Sequence, residues 1–286
     1  MRSELARRVL FSVVAVPLAI VVIYRGDALL AALLASIAAL GTWELFRIAR
    51  SGGVDPMDAW GIPLAALFPL VVHGVRHGFQ PPLAAGVVAA LAVFATSIWT
   101  RGVGGRPLAA TAVTIFGAVY TGATLSFGYA LRYHRFTIDA KGGTALILLP
   151  VILTWASDIG AYAVGRLAGR RKLIPSVSPG KTVEGAVGAL VVCVLVCWLY
   201  VRLVLRPMAQ LAMPPWAVIA FALAVSVTAQ VGDLAESLLK REAGVKDSSQ
   251  LIPGHGGILD RFDSLLFVLP VAYLLLMRRF LIPAPL

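Results

Sequence analysis

Charge is scarce in this chain. Only 14% of its 286 residues are Asp, Glu, Lys or Arg, against 59% hydrophobic residues, and mean hydropathy is +0.87. A soluble domain carries about 25% charged residues, so the composition excludes an ordinary globular protein. It indicates an integral membrane protein whose apolar surface serves lipid contact and helix packing. Acids are scarcer than bases: 14 Asp and Glu against 25 Lys and Arg give a formal net charge of +11. No basic helix interleaved with aromatics accompanies that excess, which argues against nucleic acid as a partner; orientation in the bilayer and anionic headgroups account for it. Cysteine is almost missing. Cys193 and Cys197 lie four apart in an apolar run and read as packing residues on one helix face, not as a disulfide or metal site. Internal repeats and low-complexity linkers are also missing, so the chain reads as a single membrane domain over 1–286.

Long apolar runs, by contrast, fill the sequence. A spanning helix needs about 20 mostly apolar residues, and nine stretches qualify, near 9–24, 28–46, 59–75, 82–99, 107–131, 144–166, 183–204, 215–239 and 264–281. The expected fold is therefore all-α, a polytopic membrane protein with about nine transmembrane helices. The N-terminal MRSELARRVLFSVVAVPLAIVVIYRG imitates a signal peptide, but no small-x-small cleavage site follows before Arg25 and Asp27; it reads as a retained first helix. With the N-terminus inside, sixteen of the 25 basic residues fall on the cytoplasmic side and nine on the other, which favours N-in and C-out. That topology puts both polar segments, 166–182 and 240–263, on the side where nucleotides are.

Three clusters interrupt the apolar pattern. In ASDIGAYAVGRLAGRRK (156–172), Asp158 is a carboxylate within a membrane helix, and such residues usually mark a functional site. Ala161, Gly165 and Gly169 repeat every four residues and read as a smooth packing face. The second cluster, SPGKTVEG (178–185), invites a phosphate-loop reading that fails on spacing: the required glycine five positions before Gly180 is Pro175, and no buried strand precedes it. What remains is Ser178, Lys181, Thr182 and Glu184 at a helix start, where N–H groups attract phosphate.

The third cluster runs from Gln230 to Asp263. Asp233, Glu236, Ser237 and Lys240 share one face of the eighth helix, near its cytoplasmic end. Arg241, Lys246 and Asp247 follow in the loop. PGHGG then makes a tight turn where backbone can approach a ligand, and His255 within it fits a satisfied turn histidine as well as a catalytic one. Asp260 and Asp263 are three apart on a helix entering the membrane, with Arg261 between them. Carboxylates on two converging helices form a hard, all-oxygen site that suits Mg²⁺, and the nearby cations suit phosphate. Acids for a metal and bases for phosphate together point to phosphoryl or nucleotidyl transfer.

At these residues the chain resembles the phosphatidate cytidylyltransferase (CDP-diacylglycerol synthase) family. SLLKREAGVKDSSQLIPGHGGILDRFD (237–263) matches that family's signature without a gap, and DIGAYAVGR (158–166), SPGKTVEG and QVGDLAES (230–237) occur in its expected order. The resemblance is strong in the C-terminal half (144–286), which it makes catalytic; residues 1–135 match only as hydrophobic scaffold helices facing lipid or a dimer partner. It implies that CTP and phosphatidic acid give CDP-diacylglycerol and pyrophosphate with Mg²⁺, that a second cation such as K⁺ takes part, and that the protein is a homodimer. By motif match Asp233 and Asp260 are the metal ligands, with Asp263 and Glu236 nearby. Lys240, Arg241 and Lys246 would contact phosphates, and Ser178, Lys181 and Thr182 the nucleotide or lipid phosphate. A bacterial inner membrane is the expected setting.

The chemistry stands without the resemblance. A phosphomonoester has a second pKa of about 6, so a lipid phosphate is nucleophilic at neutral pH without a strong base. The alternatives are a CTP-dependent enzyme acting on a polyprenyl or ether-lipid phosphate, and an ion-coupled transporter. Charges gathered at one membrane face, without repeated halves, argue against the transporter. The CDP-alcohol phosphatidyltransferase motif is absent.

Overall fold

The computed structural model describes residues 2–251, 256–277 and 280–284, with side chains from residue 13 onward. Every apolar stretch expected from sequence lies on a helix: α1 (Arg2–Arg25), α2 (Asp27–Ser51), α3 (Asp58–Arg76), α4 (Ala85–Thr100), α5 (Pro107–Arg132), α6 (Ala140–Ala168), α7 (Val183–Ala209), α8 (Pro215–Glu242) and α9 (Leu259–Leu276). The protein is an all-α polytopic membrane protein. Among the described residues, α2, α3, α5, α6, α7 and α8 are long and apolar enough to cross a bilayer. The described part of α1 and all of α4 are shorter, and α9 carries Asp260, Arg261 and Asp263 in its first turns. Prolines inside α1, α3, α6 and α9 are tolerated because neighbouring helices and local adjustments satisfy the freed carbonyls.

The chain divides into two compact units. The first comprises Met1–Tyr129 and Leu239–Arg261, the second Ala130–Leu238 and Phe262–Leu286. The division differs from the expected halves, because Leu239–Arg261 groups with the N-terminal helices. In the first unit, α2 packs along α3 and α5 and is pinned on both sides of Glu44. Thr42 shares a hydroxyl–hydroxyl hydrogen bond of 2.5 Å with Thr121, which lies in a π-helical turn of α5 (Ala118–Ala123). Phe46 is fully buried between Gly61 and Gly117, where a Cβ would collide with its ring.

The second unit is built on α6 against α7. The small face expected at Ala161 and Gly165 meets the start of α7: a Cβ on Gly185 would lie 2.7 Å from the Ala161 carbonyl. Farther along, Cys193 and Cys197 are buried and unbridged, and the Tyr200 hydroxyl donates to the Ala145 carbonyl at 2.8 Å. Ser157 and Ser226 join α6 to α8 through their hydroxyls at 2.8 Å. Such contacts dominate in lipid, where apolar surface alone gives helices little reason to associate.

Two local starts matter for function. Asp139 caps α6 by accepting the Gly142 N–H at 2.7 Å, and Thr182 caps α7 by accepting that of Gly185 at 3.1 Å. The segment before α7 forms an antiparallel hairpin, β1 (Lys172–Ile174) with β2 (Ser178–Thr182). Pro175 falls in its turn, and the Glu184 carboxylate accepts the N–H groups of Arg170 at 3.0 Å and Arg171 at 3.1 Å, fixing the entry to β1. With β1 only three residues long and largely exposed, the rejection of a phosphate-loop reading stands.

Candidate active site

In the first unit the segment 246–261 is organised around two carboxylates. Asp260, in the first turn of α9, receives the Lys240 ammonium at 2.6 Å on Oδ1. Its Oδ2 accepts the Ser248 hydroxyl and the Gly257 N–H, each at 2.9 Å, and the Ser248 N–H at 3.1 Å. The side chains of Lys240 and Asp260 are 14% and 11% exposed, so the pair is shielded from solvent. Burial alone would raise the Asp260 carboxyl, but Lys240, Gly257 and Ser248 bring it down to about 2.

The second carboxylate is Glu44 of α2, which is fully buried. Its oxygens accept the Ser249 hydroxyl at 2.5 Å, the Ile258 N–H at 3.0 Å and the Leu259 N–H at 2.6 Å, and lie 2.9 Å from the Ser248 hydroxyl, whose single proton is shared between Glu44 and Asp260. The last two are N–H groups at the start of α9, where negative charge is favoured. Gly257 lies against this knot: a Cβ there would sit 2.5 Å from a Glu44 oxygen and overlap the Ser248 hydroxyl. Only glycine fits, which gives this member of the GHGG turn a steric reason. The sequence reading missed Glu44, Ser248 and Ser249. A signal existed for Glu44, a lone carboxylate inside an apolar span, by the reasoning applied to Asp158.

Trp43, Arg47 and residues 246–251 line an open hollow of about 550 Å³. The Arg47 guanidinium lies over the Trp43 ring, 5.0 Å from its centroid. Lys246 and Asp247 are exposed on this hollow, and Arg241 and Arg261 are exposed nearby in the chain. His255 lies outside the described residues.

The second unit holds the remaining candidates. Lys181, on β2, pairs with Asp233 of α8 at 2.6 Å, and Ser237 donates to Asp233 at 3.4 Å. Asp158 of α6 lies within electrostatic reach of Asp233, Asp263 and Lys181. Helices α8 and α9 converge here, since a Cβ on Gly232 would lie 2.9 Å from the Asp263 carbonyl. Glu236 is buried about one helical turn along α8 from Asp233, Ser178 is half-buried at the start of β2, and Thr182 and Glu184 serve the cap and hairpin contacts described above.

Asp158 thus lies within electrostatic reach of two further carboxylates, Asp233 and Asp263, although their oxygens do not converge within the 4.8 Å that marks a metal-holding group among the described residues. Oxygen donors of this kind suit Mg²⁺ better than softer ions, which select nitrogen or sulfur. The Lys181 ammonium pairs with Asp233 alone among these three. Asp260 presents a different surface, because both of its oxygens are occupied by Lys240, Ser248 and Gly257.

Comparison with known proteins shows the family of this chain. The sequence model of the Cytidylyltransferase family matches residues 6–278. A phosphatidate cytidylyltransferase of Staphylococcus haemolyticus is 40% identical over 167 residues, covering 58% of this chain and 59% of the relative. That of Bacillus subtilis is 43% identical over 159 residues, 56% and 55% of the two chains. In Staphylococcus saprophyticus the enzyme of that name is 46% identical over 136 residues, 48% and 50%. The matched region therefore spans little more than half the length of these curated relatives.

Proposed function

Because this chain belongs to the cytidylyltransferase family, we propose that it transfers the cytidylyl group of CTP to phosphatidic acid, giving CDP-diacylglycerol and pyrophosphate. An oxygen of the lipid phosphate bonds to the α-phosphorus of CTP as the bond from that phosphorus to the departing pyrophosphate breaks. The lipid phosphate is largely dianionic at neutral pH, so no protein nucleophile or strong base is needed. The obstacle is repulsion between two polyanions, and cations aligned on them lower it. The observation that carries this reading is the Lys240–Asp260 pair, shielded and cross-linked by Ser248 and Gly257, inside the segment that bears the family signature.

Each residue has a part in this proposal. Lys240, Lys246, Arg241 and Arg261 offer charge to phosphates, and the hollow beside Trp43 and Arg47 is of a size that suits a nucleotide. Asp260 holds Lys240 and the loop in place. Asp158, Asp233 and Asp263 would hold Mg²⁺, with Glu236 beneath them and Lys181, Ser178 and Thr182 on a substrate phosphate. When bound, the divalent ion neutralises phosphate charge. A second cation such as K⁺, a homodimer, and an inner-membrane location with the site facing the cytoplasm complete the reading. The lipid tails would remain in the bilayer while the headgroup enters from the side.

The test is to incubate the purified protein with labelled CTP, Mg²⁺ and either phosphatidic acid or a polyprenyl phosphate. The expected result is CDP-diacylglycerol and stoichiometric pyrophosphate from the first lipid only. A CDP-lipid from the polyprenyl phosphate alone would move the chain to another substrate, and no product from either would remove the assignment. Lys240→Ala should lower the rate about 100-fold, since a charge-assisted phosphate contact is lost and Asp260 is left without its ammonium partner. An unchanged rate would take Lys240 out of the reaction.

A further inference from the structure

A third cluster of titratable groups plays no part in this chemistry. It lies in the first unit, where the start of α2 meets the end of α3. Asp27 opens α2 immediately after Gly26, His73 lies in the last turn of α3, and His77 is the residue that caps that helix. Both imidazoles are directed at the same carboxylate oxygen: His77 Nε2 is 2.9 Å from Asp27 Oδ1, and His73 Nδ1 is 3.4 Å from it. The two rings are 4.6 Å apart between centroids. One donor atom from each of the three residues can be chosen so that all lie within 4.8 Å of one another, the one such group among the described residues.

We propose that Asp27, His73 and His77 form a binding site for a transition-metal ion, with Zn²⁺ the best match. Two imidazoles and a carboxylate are the nitrogen–oxygen donor set that Zn²⁺ takes with three protein ligands and an open fourth position. Bonds of about 2.0–2.1 Å in a tetrahedron put ligand atoms roughly 3.3 Å apart, close to the two distances already present. The His-x-x-x-His spacing places both rings on one helix face. The Tyr129 hydroxyl lies 2.8 Å from His73 Nδ1, the nitrogen that faces Asp27, and would give way to an ion bound at that nitrogen. The side chains of Asp27, His73 and His77 are 59%, 23% and 52% exposed, so an ion can enter.

The oxygen-only cluster at Asp158, Asp233 and Asp263 is a poor competitor for Zn²⁺ and a good one for Mg²⁺. Along α2, Asp27 and Glu44 are about 25 Å apart at 1.5 Å per residue, so this site is separate from the knot around Ser248. An ion here would clamp the first turn of α2 to the last turn of α3.

The test uses the full chain in detergent with any histidine tag removed, stripped with a chelator and held in excess Mg²⁺. Calorimetric titration with Zn²⁺ should give one equivalent per chain, and Co²⁺ should give the intense visible absorption of a tetrahedral site. His77→Ala and His73→Gln should each weaken Zn²⁺ binding about 100-fold and abolish the Co²⁺ spectrum. Zn²⁺ should raise the unfolding temperature of the wild-type protein only. The metal-free variants should unfold with the stripped wild type, which separates lost ligands from lost folding. If His73→Gln fails to fold, the exposed His77→Ala decides alone. Equal stoichiometry and affinity in wild type and variants, or no wild-type binding, would overturn the site whatever the chain's activity with CTP.

Discussion

Glu44→Ala should abolish the proposed cytidylyl transfer and destabilise the first unit, although Glu44 lies far from the signature in sequence. The substitution strands the N–H groups of Ile258 and Leu259, which its oxygens now accept at 3.0 and 2.6 Å. An unsatisfied buried donor costs about 1–3 kcal/mol, so the loss is on the order of 2–6 kcal/mol before the Ser248 and Ser249 hydroxyls are counted. Glu44→Gln should fare little better, because its amide group turns a donor toward at least one fixed N–H. Thermal unfolding in detergent with a parallel activity assay checks both. If Glu44→Ala keeps wild-type activity, the knot does not shape the reactive segment.

Asp260→Asn is the second large effect. The amide cannot accept at both ends, yet Lys240 approaches one oxygen and the Ser248 and Gly257 N–H groups approach the other. Either orientation opposes donor to donor and leaves a shielded ammonium without its counter-charge. Turnover should fall by at least about 100-fold. Raising Mg²⁺ should not restore it; recovery at high Mg²⁺ would return Asp260 to the metal ligands. The wild-type protein should show the matching acid response. The folded-state value of about 2 lies below the ordinary 3.8, so ionised Asp260 stabilises the fold. That contribution, on the order of 2 kcal/mol, is complete above about pH 4 and is lost as pH falls through about 2. Asp260→Asn should lack this step; an identical acid profile in the variant would show that the pair does not stabilise the fold.

Much of the architecture was legible because membrane helices are written in plain hydrophobic length. All nine stretches became helices, and the small face at Ala161 and Gly165 became the α6–α7 contact. The hairpin before α7 was not legible: a three-residue strand leaves no periodicity, and its entry is fixed by Glu184 reaching back to Arg170 and Arg171. The acids and bases of 237–263 were visible as a group, but not their pairing. Nothing in the local sequence says that Lys240 meets Asp260, or that Ser248 stands between Asp260 and Glu44. Those facts depend on α2, some 200 positions away, and on a glycine at 257 whose reason is purely steric.

That separation in sequence has a consequence for biosynthesis. Glu44 leaves the ribosome 204 residues before Ser248 and 215 before Leu259. At about 5–20 residues per second the interval is roughly 10–40 s. Throughout it, α2 can be in the membrane while none of the four groups that will satisfy its carboxylate exists. The nascent chain carries an acid without its final partners until α9 begins. Closure of the knot therefore waits on residues 248–259, and a chain stopped before residue 248 keeps a carboxylate in an apolar helix with none of these partners.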